Sequence, residues 1–252
     1  MSEELTAVLN NIIDTTEKYA LSQTKLDELN SQRLKNDAKR LIHINPSLTA
    51  MALGMIASVE GDFEECIKQH TLSLKLGKDP ILNLNYAISM KTLGHNAESF
   101  RLIENAMNLL PDPSFAIPVY LMIATNAGEY EHVQSCEDLL IAKGVTSIPP
   151  HLQKYFDDVN TIVRKAPLPF HIYPAIAAMQ ETISLNYKVG LTEYALEDID
   201  DELYLWTLVK ADAKTVILMN IDLEDELSQL ENINLDEFHI AFKAKEFKDE
   251  LG

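Results

Sequence analysis

Gly61-Asp62-Phe63, Gly94-His95-Asn96 and Gly128-Glu129-Tyr130 are three short turns whose glycines lie 33 and then 34 residues apart. Each turn separates two stretches with helical apolar spacing. Before the first turn, Leu48, Met51, Ala52, Met55 and Ile56 stand three or four apart; Phe63, Ile67, His70, Leu72, Leu74 and Leu76 follow it. The second unit reads Ile81, Leu84, Ile88 and Leu93, then Phe100, Ile103, Ala106 and Leu110. The third reads Phe115, Tyr120 and Ala124, then Tyr130, Val133, Leu139 and Leu140. Pro46, Pro80 and Pro111 punctuate the chain at nearly the same period. Proline lacks the amide hydrogen that a helix interior needs, so these positions mark stops and restarts. One helical hairpin cannot bury its own apolar stripe. Stacked copies can, and about three are needed.

The placing of small and large residues within these units resembles tetratricopeptide repeats. The first unit sets Ala50, Leu53-Gly54 and Ala57 before its turn and Cys66, His70 and Ser73 after it. The second sets Asn83, Tyr86-Ala87 and Met90, then Ser99, Ile103, Ala106 and Pro111; the third sets Ile117, Tyr120-Leu121 and Ala124, then Val133 and Leu140. The first aromatic of the family pattern is missing in all three, and Val133 is bulky where a small residue is usual. The resemblance covers roughly residues 46–144. It implies a superhelix whose concave groove is lined by the first helix of each repeat. The groove positions it implies are Met51, Met55 and Val59, then Leu84, Ile88 and Lys91, then Pro118, Met122 and Asn126. This lining is mostly apolar and rich in methionine, which suits an amphipathic helix or an extended apolar segment. The family's grip on a peptide's terminal carboxylate uses Lys and Asn. Here one repeat offers Asn85 and Lys91, but the preceding one offers Ala52, Met55 and Ser58, so that mode is not expected.

Ahead of the repeats, Leu5, Val8, Leu9, Ile12, Ile13 and Tyr19 form an apolar stripe, and Leu26, Leu29, Leu34, Ala38, Leu41 and Ile42 a looser one. These predict two helices over 3–44, a divergent first repeat or a cap. Behind them, a helix over 151–164 is expected to cap the stack, and Ala166-Pro167-Leu168-Pro169 reads as a stiff linker. The spacing then changes. A helix over 174–187, a strand over 203–210 paired with Glu193–Leu196 through an acidic turn at 197–201, a helix from the N-cap Asp212 to about Glu231, and a strand around Phe238, Ile240 and Phe242 make a small α+β unit. Trp206 is expected in its core. The expected fold is therefore mainly α, an α–α superhelix of hairpins over residues 1–165 followed by an acidic α+β domain over 166–252.

Composition narrows the function. With 39 acids against 21 bases, the net charge of −18 disfavours nucleic acid and anionic lipid as partners. Residues 166–252 carry 18 acids and 6 bases, a net of −12, so the acidity is concentrated there. Cys66 and Cys136 read as reduced thiols used as small hydrophobes. No run approaches the about 18 apolar residues of a membrane helix, and the start lacks the basic region of a signal peptide, so the expected compartment is the cytoplasm.

No catalytic motif stands out. The seven histidines share no short metal-ligand spacing with one another or with a cysteine, and His70 reads as a core imidazole. Phosphate-cradling glycine loops and nucleophile elbows are absent. Asp198, Asp200 and Glu202 alternate at a turn, where solvation rather than a cation is expected. The expectation is a non-enzymatic adaptor or chaperone-like scaffold without cofactor, which binds another protein through an apolar segment. The repeat arrangement with its N-terminal helical pair resembles that of bacterial tetratricopeptide chaperones. The groove is open to a foreign segment, to the chain's own helices or to a second copy. Two further readings stay open: an acidic regulator of a nucleic-acid-acting protein, and an enzyme with its site at the domain junction.

Overall fold

The computed structural model describes residues 3–22, 26–142, 148–166, 168–200, 202–230, 235 and 238–245. Pro167, Asp201 and Glu231, which entered the reading above, lie outside these. The chain is mainly helical, with a small α+β part at its C-terminal end. Its elements are α1 (Glu3–Ser22), α2 (Glu28–Lys39), α3 (Pro46–Glu60), α4 (Phe63–Leu76), α5 (Pro80–Thr92) and α6 (Asn96–Leu109). A 3₁₀ turn (Ser114–Ala116) leads into α7 (Ile117–Asn126), α8 (Tyr130–Ala142), α9 (Pro150–Lys165) and α10 (Ile172–Asn186). Then come β1 (Leu191–Ile199), β2 (Glu202–Val209), α11 (Ala213–Leu227) and β3 (Phe238–Ala244).

The three turns that opened the sequence reading have one geometry. Gly61, Gly94 and Gly128 sit at φ +79°, +86° and +74°, the left-handed region that side chains avoid. In each, the glycine amide donates to the carbonyl three residues back, and the next amide donates to the carbonyl five back: Asp62 to Ala57, His95 to Met90 and Glu129 to Ala124, all at 2.9 Å. That double bond closes a helix and reverses the chain. The starts are set as firmly. Asn45 and Asp79 accept from the amides of Leu48 and Ile81, with Pro46 and Pro80 at the first helical positions.

Two compact units result, Met1–Ile117 and Pro118–Gly252. In the first, α1 and α2 pack on α3, α3 packs on α4 and α5, and α5 packs on α6. Leu9, Ile12, Leu34, Leu41, Met51 and Ile56 are buried together in its core. The small residues singled out above let these helices approach. Ala50, Ala57, Cys66, Ser73, Ala87, Ser99 and Ala106 are all buried. A Cβ on Gly54 would come within 2.5 Å of Cδ2 of His70, so only glycine admits that ring.

In the second unit, α9 packs on α8, α10 on α11, and α11 on β3. The sheet order is β1-β2-β3, with β1 antiparallel and β3 parallel to β2. Ile183, Val209, Val216, Met219, Leu223 and Phe242 fill the space between sheet and helices. Asp212 caps α11 by accepting from the Thr215 amide at 2.8 Å.

The units divide after Ile117, so the third hairpin, α7 and α8, falls in the second one. Tyr130 of the third hairpin meets the Tyr173 ring at 4.8 Å between centroids, and Gly128 has no room for a Cβ against the Tyr173 carbonyl. The hydroxyl of Tyr173 donates to the carbonyl of Ala166 and accepts from the amide of Leu168. Ala166 and Leu168 are thus held to α10 within this unit. Helix α9 also reaches the sheet: Tyr194 of β1 donates to Asp158 at 3.0 Å, and Lys165 pairs with Asp198.

Trp206 departs from expectation too. Leu203, Leu205, Thr207 and Val209 alternate into the core, so Trp206 points to the other face with Tyr204. There it is half-buried, and its indole N–H donates to Glu197 at 2.7 Å.

Candidate partner-binding cleft

Helices α1, α3 and α5 each present residues at the same helical spacing to one small cleft. The rows are Ile13, Thr16, Glu17 and Ala20; Met55, Ser58 and Val59; and Asn85, Ile88, Ser89 and Thr92. Positions three and four apart share a helix face, so three parallel rows make one wall. The cleft holds about 100 Å³, roughly the volume of three liquid waters. That is room for the tip of one apolar side chain.

The wall is less polar than its composition. Thr16 donates to the carbonyls of Ile12 and Ile13, Ser58 to Met55 at 2.7 Å, and Thr92 to Ile88 at 2.9 Å. Asn85 donates to the carbonyl of Ile81 at 2.9 Å. Each of these side chains turns a donor onto its own helix. Ile13, Ala20, Met55, Val59 and Ile88 supply the methyl and methylene surface between them. Glu17 is the one formal charge among the described lining residues.

Behind the wall, His70 of α4 anchors Ser89. Its Nε2 lies 2.9 Å from the Ser89 Oγ, its ring stacks on Tyr86 at 4.7 Å and 9°, and its Nδ1 has no hydrogen-bond partner. Burial pushes its pKa down to about 3, so the imidazole is neutral. Burial, helped by the Asp62 charge, pushes the Cys66 thiol up to about 12, which removes its thiolate chemistry.

The positions implied by the repeat resemblance divide. Met55, Val59 and Ile88 line the cleft. Met51 and Leu84 are buried inside the first unit and do not line it, while Lys91 is half-buried beside Thr92. Pro118, Met122 and Asn126 belong to the second unit, where Asn126 turns its amide onto the Met122 carbonyl. Helix α1 is absent from the positions implied by the resemblance, yet it contributes Ile13, Thr16, Glu17 and Ala20. That helix supplies a wall of the cleft, with Ile13 and Ala20 as its apolar part.

No helix among the described residues is long and apolar enough to cross a membrane. No group of three or more His, Cys, Asp or Glu side chains among them is placed to hold a metal ion. No protein-family model, curated protein or solved structure matches the chain.

Proposed function

We propose that this protein is a non-enzymatic helical-repeat adaptor of tetratricopeptide type, acting as a chaperone-like scaffold in the cytoplasm. The α1–α3–α5 wall receives an apolar side chain from a helical or extended segment of another protein. The observation that carries this reading is the cleft itself, an apolar seat assembled from equivalent rows of the alternate helices α1, α3 and α5, with the hydroxyls of Thr16, Ser58 and Thr92 turned onto their own helices. An anchor of this kind concentrates binding energy at a few well-packed contacts.

Ile88 and Thr92 line the cleft, are half-buried and stand outside the core cluster of the first unit, so Ile88→Glu and Thr92→Glu leave the interior intact. Affinity capture from the native cell, followed by quantitative binding of the purified partner, is expected to show binding weakened at least about tenfold by each substitution, with an unchanged melting temperature. A near-stoichiometric partner that binds both variants like the parent chain would refute the reading.

A further inference from the structure

We propose that the groove between α10 and α11 is a second docking site, and that its occupant is a basic amphipathic helix of a partner protein. The groove measures about 530 Å³ and is walled by Ala178, Met179 and Thr182 on one side and Asp222, Asp225 and Glu226 on the other. Its α10 wall is made of small and flexible residues, which let another helix approach closely. Next to its α11 wall runs an exposed apolar row: Ile217, Leu218 and Ile221 are 61%, 42% and 50% exposed. Leu218, Asp222 and Asp225 share one helix face by their spacing, and Ile221 stands one turn before Asp225. Apolar and anionic groups therefore alternate along the same strip.

The charge on this strip is unlike that on the sheet. Within β1 the acids have lysine partners, Glu193 with Lys245, Glu197 with Lys243 and Asp198 with Lys165, and in β2 Glu202 lies 3.1 Å from Nε2 of His239. No ion pair among the described residues engages Asp222, Asp225 or Glu226. Tyr187 donates to Asp222 at 2.9 Å, which fixes that carboxylate in place without neutralising it. A helix carrying Leu or Ile on one face and Lys or Arg on its flanks matches both features at once. A groove flanked by helices of 15 residues each suits a helix of about 22 Å.

The test uses the full-length chain and a panel of labelled synthetic helices of about 15 residues. One set has a leucine stripe with lysine flanks. One control replaces the lysines by glutamate, and another replaces the leucines by serine. Fluorescence anisotropy should show binding by leucine–lysine members only, falling steeply with salt. Asp225→Asn with Glu226→Gln should weaken it about tenfold while melting is unchanged, and Asp225→Lys with Glu226→Lys should transfer binding to the glutamate-flanked set. The Ile88→Glu substitution in the first unit should leave it unaltered, which separates this site from the cleft described above. The proposal is overturned if no leucine–lysine member binds, if the serine control binds equally, or if the carboxamide variant binds like the parent. It is overturned as well if sedimentation shows a dimer that Ile221→Asp dissolves, since a second copy then occupies the groove.

Discussion

His70 is a base held where it cannot take a proton. Its pKa is near 3 in the fold against an ordinary value of 6.5. Between those values an unfolded chain carries a proton that the folded chain does not. The stability linked to this residue is therefore complete above pH 6.5 and is lost as pH falls toward 3, with a slope approaching about 1.4 kcal/mol per pH unit. Urea unfolding at pH 7 and pH 5 should show the parent chain losing about 2 kcal/mol more than His70→Gln over that interval. Equal losses would mean that the imidazole reaches water before the fold opens. The residue's role as a core imidazole was legible in the sequence from its place in the repeat. Its partners Ser89, Tyr86 and Gly54 come from two other helices, and no local spacing reveals them.

Among the elements, the strand β3 shows how a helix protects a sheet edge. The Asn220 side chain on α11 donates to the carbonyl of Phe242 at 3.0 Å and accepts its amide at 2.7 Å, taking the place of a neighbouring strand. Asn220→Ala leaves both groups without that partner. It should cost about 1–3 kcal/mol in urea unfolding, and the opened edge should promote association visible by light scattering. Unchanged stability and mass would deny Asn220 this role. The strand itself was readable, because Phe238, Ile240 and Phe242 alternate. So were β2 and the start of α11 at Asp212. β1 runs further than its apolar residues suggested, since Glu197 and Asp198 are held in it by Lys243 and Lys165 from distant elements. The parallel pairing of β2 with β3 and the part of α1 in the cleft were hidden for the same reason. Thr16 and Glu17 look like a solvated face until the neighbouring rows are in place.

At the scale of the whole molecule, the chain separates after Ile117. A chain ending at residue 117 should melt cooperatively with high helicity. One ending at Lys165 removes the sheet from α9 and strips Tyr194 from Asp158, so its residues 118–165 should lack protection in hydrogen exchange. Full protection there would place the boundary after α9, where the Pro-rich stretch suggested it. Prolines at 167 and 169 read as a linker in the sequence, where no local spacing reveals that Tyr173 ties Ala166 and Leu168 to α10. The hydroxyls of Thr16, Ser58 and Thr92, each turned back onto its own helix, carry a thermodynamic consequence. Water resting against that wall meets few donors and is held loosely, so expelling it costs little enthalpy. Filling the seat should register in calorimetry as a negative heat-capacity change with almost no dependence on ionic strength.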